Sequence, residues 1–195
     1  LSYNRLNVLK NNYFKKLFKL NKLLLNKNYI YLIESYAFQD LIGLHTLEMD
    51  SNFLKSFESN LVPNRFSLTT LSLRDNYLEL ISQKTFSGLT SLTELELTDN
   101  FIKSIEANSF FDLKNYNTKL NLINQRIETL IPYSFNYLEK LKNLYLSKNL
   151  LIKLENNTFT GLIRLEQLYL DSNQISIVDK NAFIGLEKLK QLVLS

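Results

Sequence analysis

The chain has no cysteine and no tryptophan, one histidine, two prolines and four glycines in 195 residues. Without cysteine there is neither a disulfide framework nor a thiolate metal site. His45 stands alone, so no neutral-pH base has an obvious partner. No stretch approaches 18 consecutive apolar residues, which argues against a membrane-spanning helix within this segment. The opening Leu1-Ser2-Tyr3-Asn4 carries neither an initiator methionine nor an apolar signal segment. Glycine and proline are too few for conventional hairpins and crossovers. Some other device must turn the backbone.

What is present is apolar side chain and lysine. At 45% hydrophobic residues the chain can bury a sizeable core, and disorder is excluded. The net charge of +4 is uneven: residues 1–33 carry seven bases and no acid, leaving −3 for the remainder. These early lysines scatter over many phases of the repeat described below. They form no basic stripe interleaved with aromatics, so nucleic acid is not expected as a partner.

A unit Leu-x-x-Leu-x-Leu-x-x-Asn recurs throughout. Its first Leu falls at Leu20, Leu44, Leu68, Leu92, Leu141, Leu165 and Leu189, and a further unit begins at Asn117; the spacing is 24 residues except for one of 25 into Asn117. Position 9 reads Asn4, Asn28, Asn52, Asn76, Asn100, Gln125, Asn149 and Asn173. Position 19 reads Phe14, Phe38, Val62, Phe86, Phe110, Phe135, Phe159 and Phe183. Alternating Leu at positions 4 and 6 predicts a short strand with one buried face, pairing in parallel with its equivalent in the next unit. Just after it, an amide side chain can satisfy backbone groups that an inward turn leaves without partners. Gly88, Gly161 and Gly185 share position 21 and predict one recurring turn.

These columns resemble the typical 24-residue class of leucine-rich repeats, the class of Toll-like receptor, Slit-like and small proteoglycan ectodomains. The resemblance implies an α/β fold class: a right-handed solenoid with a parallel β-sheet on the concave face and an irregular or short-helical convex side. It implies one array over 1–195, with partial repeats 1–19 and 189–195 flanking 20–43, 44–67, 68–91, 92–116, 117–140, 141–164 and 165–188. Both ends cut through a repeat, so a fragment is expected, with caps, signal peptide and any membrane anchor outside it. The function implied is recognition of a protein or other macromolecular ligand through the concave face of an extracellular or cell-surface receptor or adhesion protein. The alternative is a cytoplasmic scaffold or adaptor. No catalytic residue, metal site or cofactor is expected, since nucleophile, second histidine and glycine-rich phosphate loop are all missing.

Positions 3, 5, 7 and 8 should be free on the concave sheet. There the sequence places Glu48, Asp50, Asp75, Glu94, Glu96 and Asp99, with Arg74 among them, as a docking surface for a basic ligand or as a plain solvated face. Calcium at Glu94, Glu96 and Asp99 is a weaker reading, because no loop spacing enforces coordination. Further along, Tyr145 and Tyr169 share position 5, as contact residues or as ordinary strand formers. Tyr29, Phe53, Tyr77 and Phe101 share position 10 as a ring ladder or a contact strip. Asn156-Asn157-Thr158 is the only glycosylation sequon, with Asn156 on the returning arm. The extra residue near 113–125, together with Gln125, predicts a local irregularity of the sheet.

Overall fold

A computed structural model describes residues 1–62, 67–116 and 119–194. Eight strands of three residues line one face: β2 (Lys22–Leu24), β4 (Thr46–Glu48), β5 (Thr70–Ser72), β7 (Glu94–Glu96), β9 (Lys119–Asn121), β10 (Asn143–Tyr145), β12 (Gln167–Tyr169) and β14 (Gln191–Val193). Six two-residue strands sit on the returning arm: β1 (Val8–Leu9), β3 (Leu32–Ile33), β6 (Leu80–Ile81), β8 (Ser104–Ile105), β11 (Lys153–Leu154) and β13 (Ile177–Val178). They pair in parallel as β1 with β3, β6 with β8 and β11 with β13. Helix among the described residues is limited to 3-10 conformation at Ser59–Leu61 and at Ser67, so the convex side is irregular rather than α-helical.

The leucine columns form the core for the reason their spacing predicts. At position 4, Leu47, Leu71, Leu144 and Leu168 are fully buried, and at position 6 so are Leu25, Met49, Leu73, Leu97, Leu122, Leu146 and Leu170. Register is in phase from coil to coil: Leu23 pairs with Leu47, Leu47 with Leu71 and Leu71 with Leu95. Behind the sheet the position-19 rings stack, with Phe86, Phe110, Phe135, Phe159 and Phe183 in one continuous row. Val62 interrupts that row between Phe38 and Phe86, yet is itself fully buried. Gly88, Gly161 and Gly185 all have positive φ, as a shared turn requires. At Gly161 a Cβ would also meet Asn136 Oδ1 at 2.9 Å.

The amide column is an inter-coil ladder. Asn76 Nδ2 donates to Met49 O of the preceding coil at 2.9 Å and to Leu73 O of its own at 3.2 Å, while its Oδ1 accepts from Leu54 N at 3.1 Å. Asn28, Asn52, Asn100 and Asn149 are buried and bond likewise. Two members differ from expectation. Asn4 is exposed, and among the described residues its side chain bonds Leu1 O and Ser2 O within its own turn. Gln125 reaches back to Leu97 O at 3.0 Å and accepts from Ile102 N at 3.2 Å, but in its own turn it bonds Ile123 O rather than the carbonyl three residues back. Its extra methylene carries the amide past that carbonyl.

The predicted irregularity divides the sheet. β2, β4, β5 and β7 form one four-stranded sheet and β9, β10, β12 and β14 another, and among the described residues no ladder joins β7 to β9. Tyr116 N donates to Leu113 O, the bond that Leu92 makes to Leu89 and Leu141 to Leu138. Tyr116 is also buried, so its ring occupies the place of the first column Leu, which the repeat count assigns to Asn117. Asn117 itself lies outside the described residues. Strand equivalents are 24 residues apart within each sheet and 25 across the division, from Glu94 to Lys119, so the added residue falls between Tyr116 and Lys119.

Candidate ligand-binding face

The expected acidic patch separates into three kinds of site. Glu48, on β4, is neutralised: Lys22 Nζ lies 2.8 Å from it and Asn26 donates to it at 2.9 Å. The Lys22 hydrogen bond holds its carboxyl below the ordinary range against the opposing effect of burial. Asp99 is likewise taken up, by Arg74 at 3.2 Å. Arg74 is therefore engaged within the fold. From the sequence it is expected among the free docking residues of the concave face.

Asp50 joins coils. Its Oδ1 accepts from Ser72 Oγ at 2.5 Å and from Arg74 N at 3.0 Å, and its own N–H donates to Asn26 Oδ1 at 2.8 Å. Burial pushes its pKa up in spite of these bonds. Position 7 thus carries structural duty. Position 8 does too: Lys27, Ser51, Asp75, Asp99, Asn124, Lys148 and Ser172 all have φ between 53° and 59°. The chain leaves the strand there through a left-handed residue, a conformation that Asp and Asn tolerate best. Asp75 and Asp99 accordingly lie on the turn beside the sheet rather than on the strand surface.

Glu94 and Glu96 remain. Both lie on β7; Glu94 accepts from Thr70 Oγ1 at 3.1 Å and Glu96 from Thr98 Oγ1 at 3.3 Å, and among the described residues neither has a cationic partner. They face the division in the sheet, which opens as a cleft of about 820 Å³. Across it stand Lys119, Lys140, Lys142 and Arg164, all exposed. Tyr116 closes the floor, its hydroxyl donating to Lys119 O and lying 3.4 Å from Leu95 O. The sequence reading missed this basic wall. Its signal was present: the residue before the first column Leu is Lys140, Arg164 and Lys188 in three successive units.

Beyond the basic wall, Tyr145 and Tyr169 stack with centroids 4.9 Å apart and planes at 11°. Gln191 Oε1 accepts from Tyr169 Oη at 3.2 Å and from Gln167 Nε2 at 3.0 Å. The half-buried rings thus present a pre-ordered flat surface. On the rim, Tyr29, Phe53, Tyr77 and Phe101 stack at 5.2 to 5.8 Å, and the Arg126 guanidinium caps the row 4.3 Å from the Phe101 ring. The rings satisfy one another as a ladder. His45 bonds Gly43 O and Asn21 as a polar surface residue. No group of three or more His, Cys, Asp or Glu is placed to hold a metal ion among the described residues, and Asp99 is engaged with Arg74. Asn156 is exposed; its Oδ1 accepts from Asn181 N at 3.0 Å, and Thr158 is buried.

A leucine rich repeat family model matches residues 66–116, 118–175 and 141–195. No curated protein sequence matches the chain. Among solved structures, the Drosophila Toll–Spatzle complex in its glycosylated form matches with a TM-score of 0.87 at 25% identity over 97% of this chain and 25% of that one. A leucine-rich repeat protein of Leptospira interrogans matches with a TM-score of 0.73 at 30% identity, over 92% of this chain and 44% of that one. A TLR13–ssRNA13 complex matches with a TM-score of 0.59 at 26% identity, over 86% and 28%. The chain thus spans about a quarter of the length of the Toll-complex chain it matches. With its coil register, amide ladder and two-thirds coverage by the family model, this chain belongs to the leucine-rich repeat family.

Proposed function

We propose that the array is the ligand-recognition segment of an extracellular or cell-surface receptor or adhesion protein, and that it meets a macromolecular partner on its concave face. The carrying observation is the run of exposed or half-buried groups from Glu94 and Glu96 through Lys119 and Lys142 to the Tyr145–Tyr169 stack, on strand positions that the core does not use. Uncompensated charge and rigid aromatic area are what binding surfaces concentrate. The glycosylated Toll–Spatzle complex supports the extracellular setting of this reading, and it and the TLR13–ssRNA13 complex support a macromolecular partner. Recognition without chemistry is the corresponding activity.

A photo-crosslinking side chain at Tyr145 or Tyr169, compared with one at Tyr36 on the returning arm, tests the face in extracts and membranes of the source cells. Adducts from the concave positions and none from Tyr36, which is 67% exposed, are expected. Adducts from Tyr36 alone would place the partner elsewhere.

Glycan placement provides a separate check. Expressed through a eukaryotic secretory pathway, the chain is expected to gain one N-glycan at exposed Asn156, clear of the concave sheet. Asn156→Gln should abolish the mobility shift. An unshifted parent protein would count against the arm as a glycan-bearing surface.

A further inference from the structure

Resting on the concave-face reading, we infer that the cleft dividing the two sheets is a bipolar seat for an extended polypeptide segment of a partner protein, one carrying a basic side chain and, three or four residues away, an acidic one. Glu94 and Glu96 form one wall, unpaired with any cation among the described residues. The facing cations are equally uncommitted. Lys119, Lys142 and Arg164 have no carboxylate at ion-pair distance among the described residues, and Lys140 reaches only the Asn115 side-chain oxygen, at 2.9 Å. Glu166, whose carboxyl feels the Lys142 charge without an ion pair to it, is held by Lys190 at 2.7 Å. Two walls of opposite sign that face each other without pairing leave both sets of charges available to a third party.

The charge arrangement selects among occupants. A polyanion such as single-stranded RNA would be drawn to the basic wall but would meet Glu94 and Glu96 as it crossed the cleft, and like charges in a concavity repel strongly. A free amino acid is too short, since its charges lie about one residue length apart while strands alone are spaced by about 4.8 Å. An extended peptide advances about 3.3 Å per residue, so charges three to four residues apart span roughly 10 to 13 Å, two to three strand spacings of about 4.8 Å. Tyr116 supports the seat from below: its buried ring and its hydroxyl bonds to the backbone on either side hold the floor in place. Binding therefore needs little rearrangement, and the ordering cost falls on the peptide.

Four fluorescein-labelled probes test the assignment by anisotropy at low ionic strength, where screening is weakest. One is a bipolar peptide with a Lys-Lys block and a Glu-Glu block separated by three Ser/Gly residues. Two are matched peptides with both blocks basic or both acidic, and the fourth is an oligouridylate. The bipolar peptide should bind at least about tenfold more tightly than either single-sign peptide, corresponding to one further ion pair of about 1.4 kcal/mol. In the Glu94→Lys/Glu96→Lys variant that preference should reverse in favour of the all-acidic peptide and of oligouridylate. In Lys119→Glu/Lys142→Glu it should turn to the all-basic peptide. All four positions are exposed or half-buried, and unchanged unfolding midpoints confirm intact variants. Equal binding of bipolar and single-sign peptides, or tighter binding of oligouridylate by the parent protein, would overturn the proposal. Concave crosslinks from Tyr145 together with a failed peptide preference would remove the bipolar seat and leave the concave-face reading standing. Crosslinks confined to Tyr36 would remove both.

Discussion

Tyr116→Ala should destabilise the array by about 3 to 5 kcal/mol, as truncation of a fully buried large aromatic does. Tyr116→Phe should cost about 1 to 3 kcal/mol, because buried carbonyls would lose a donor. The ring is 1% exposed, and its hydroxyl meets backbone oxygens on both sides of the division in the sheet. The position is unusual energetically. Elsewhere coils are joined by strand ladders, whereas among the described residues none joins β7 to β9. The join there is carried by side chains and arm contacts, among them Tyr116, the Gln125 amide, the Phe110–Phe135 stack, the Asn136–Asn108 bond and the backbone bonds from Arg126 N to Ile102 O and from Asn108 N to Tyr133 O. In a repeat array stability is carried by such nearest-neighbour interfaces. Weakening this one should also let the two halves unfold separately and lower the slope of the urea transition. A Tyr116→Ala protein with the parent's midpoint and slope would show that the ring does not join the halves.

Asn76→Ala is expected to cost about 1 to 3 kcal/mol, the penalty for leaving buried backbone groups without partners. Three carbonyls, of Met49, Leu73 and Arg74, and the N–H of Leu54 converge on this amide. Asn100→Ala should behave alike, since Asn100 bonds Leu73 O, Leu97 O and Leu78 N. Asn4→Ala is the informative control. It belongs to the same sequence column but is exposed and bonds only within its own turn, so its replacement should fall within about 0.5 kcal/mol of the parent. Chemical unfolding of the three variants side by side decides the matter. If Asn4→Ala and Asn76→Ala shift the midpoint equally, burial between coils is not what gives the column its value.

The contrast between Asn4 and Asn76 shows what a sequence column conveys. Eight in-phase copies of Leu, Asn and Phe determined the strands, their parallel register, the buried face and the place of the irregularity, because the side-chain period of two and the coil period of 24 are both legible along the chain. Whether a given column member is buried depends on how the neighbouring coils cover it, and Asn4 is exposed where Asn76 is buried. Position 8 escaped the sequence reading for a related reason. Asp, Lys, Ser and Asn all occur there, so no residue preference reveals a left-handed turn imposed by the amide ladder beside it.

The candidate site was legible by half. Sequence alone determined that Glu94, Glu96, Tyr145 and Tyr169 share the concave face, since strand alternation assigns faces whatever the details of packing. Only the tertiary structure decided which charges on that face remain free. Glu48 is neutralised by Lys22, 26 residues away, and Asp99 by Arg74, 25 residues away, while Glu94 and Lys119, equally 25 apart, face each other across a cleft. Ion pairs form within a few ångströms, a range set by how one coil lies on the next, and where β7 and β9 are not paired the charges on either side are left without partners among the described residues.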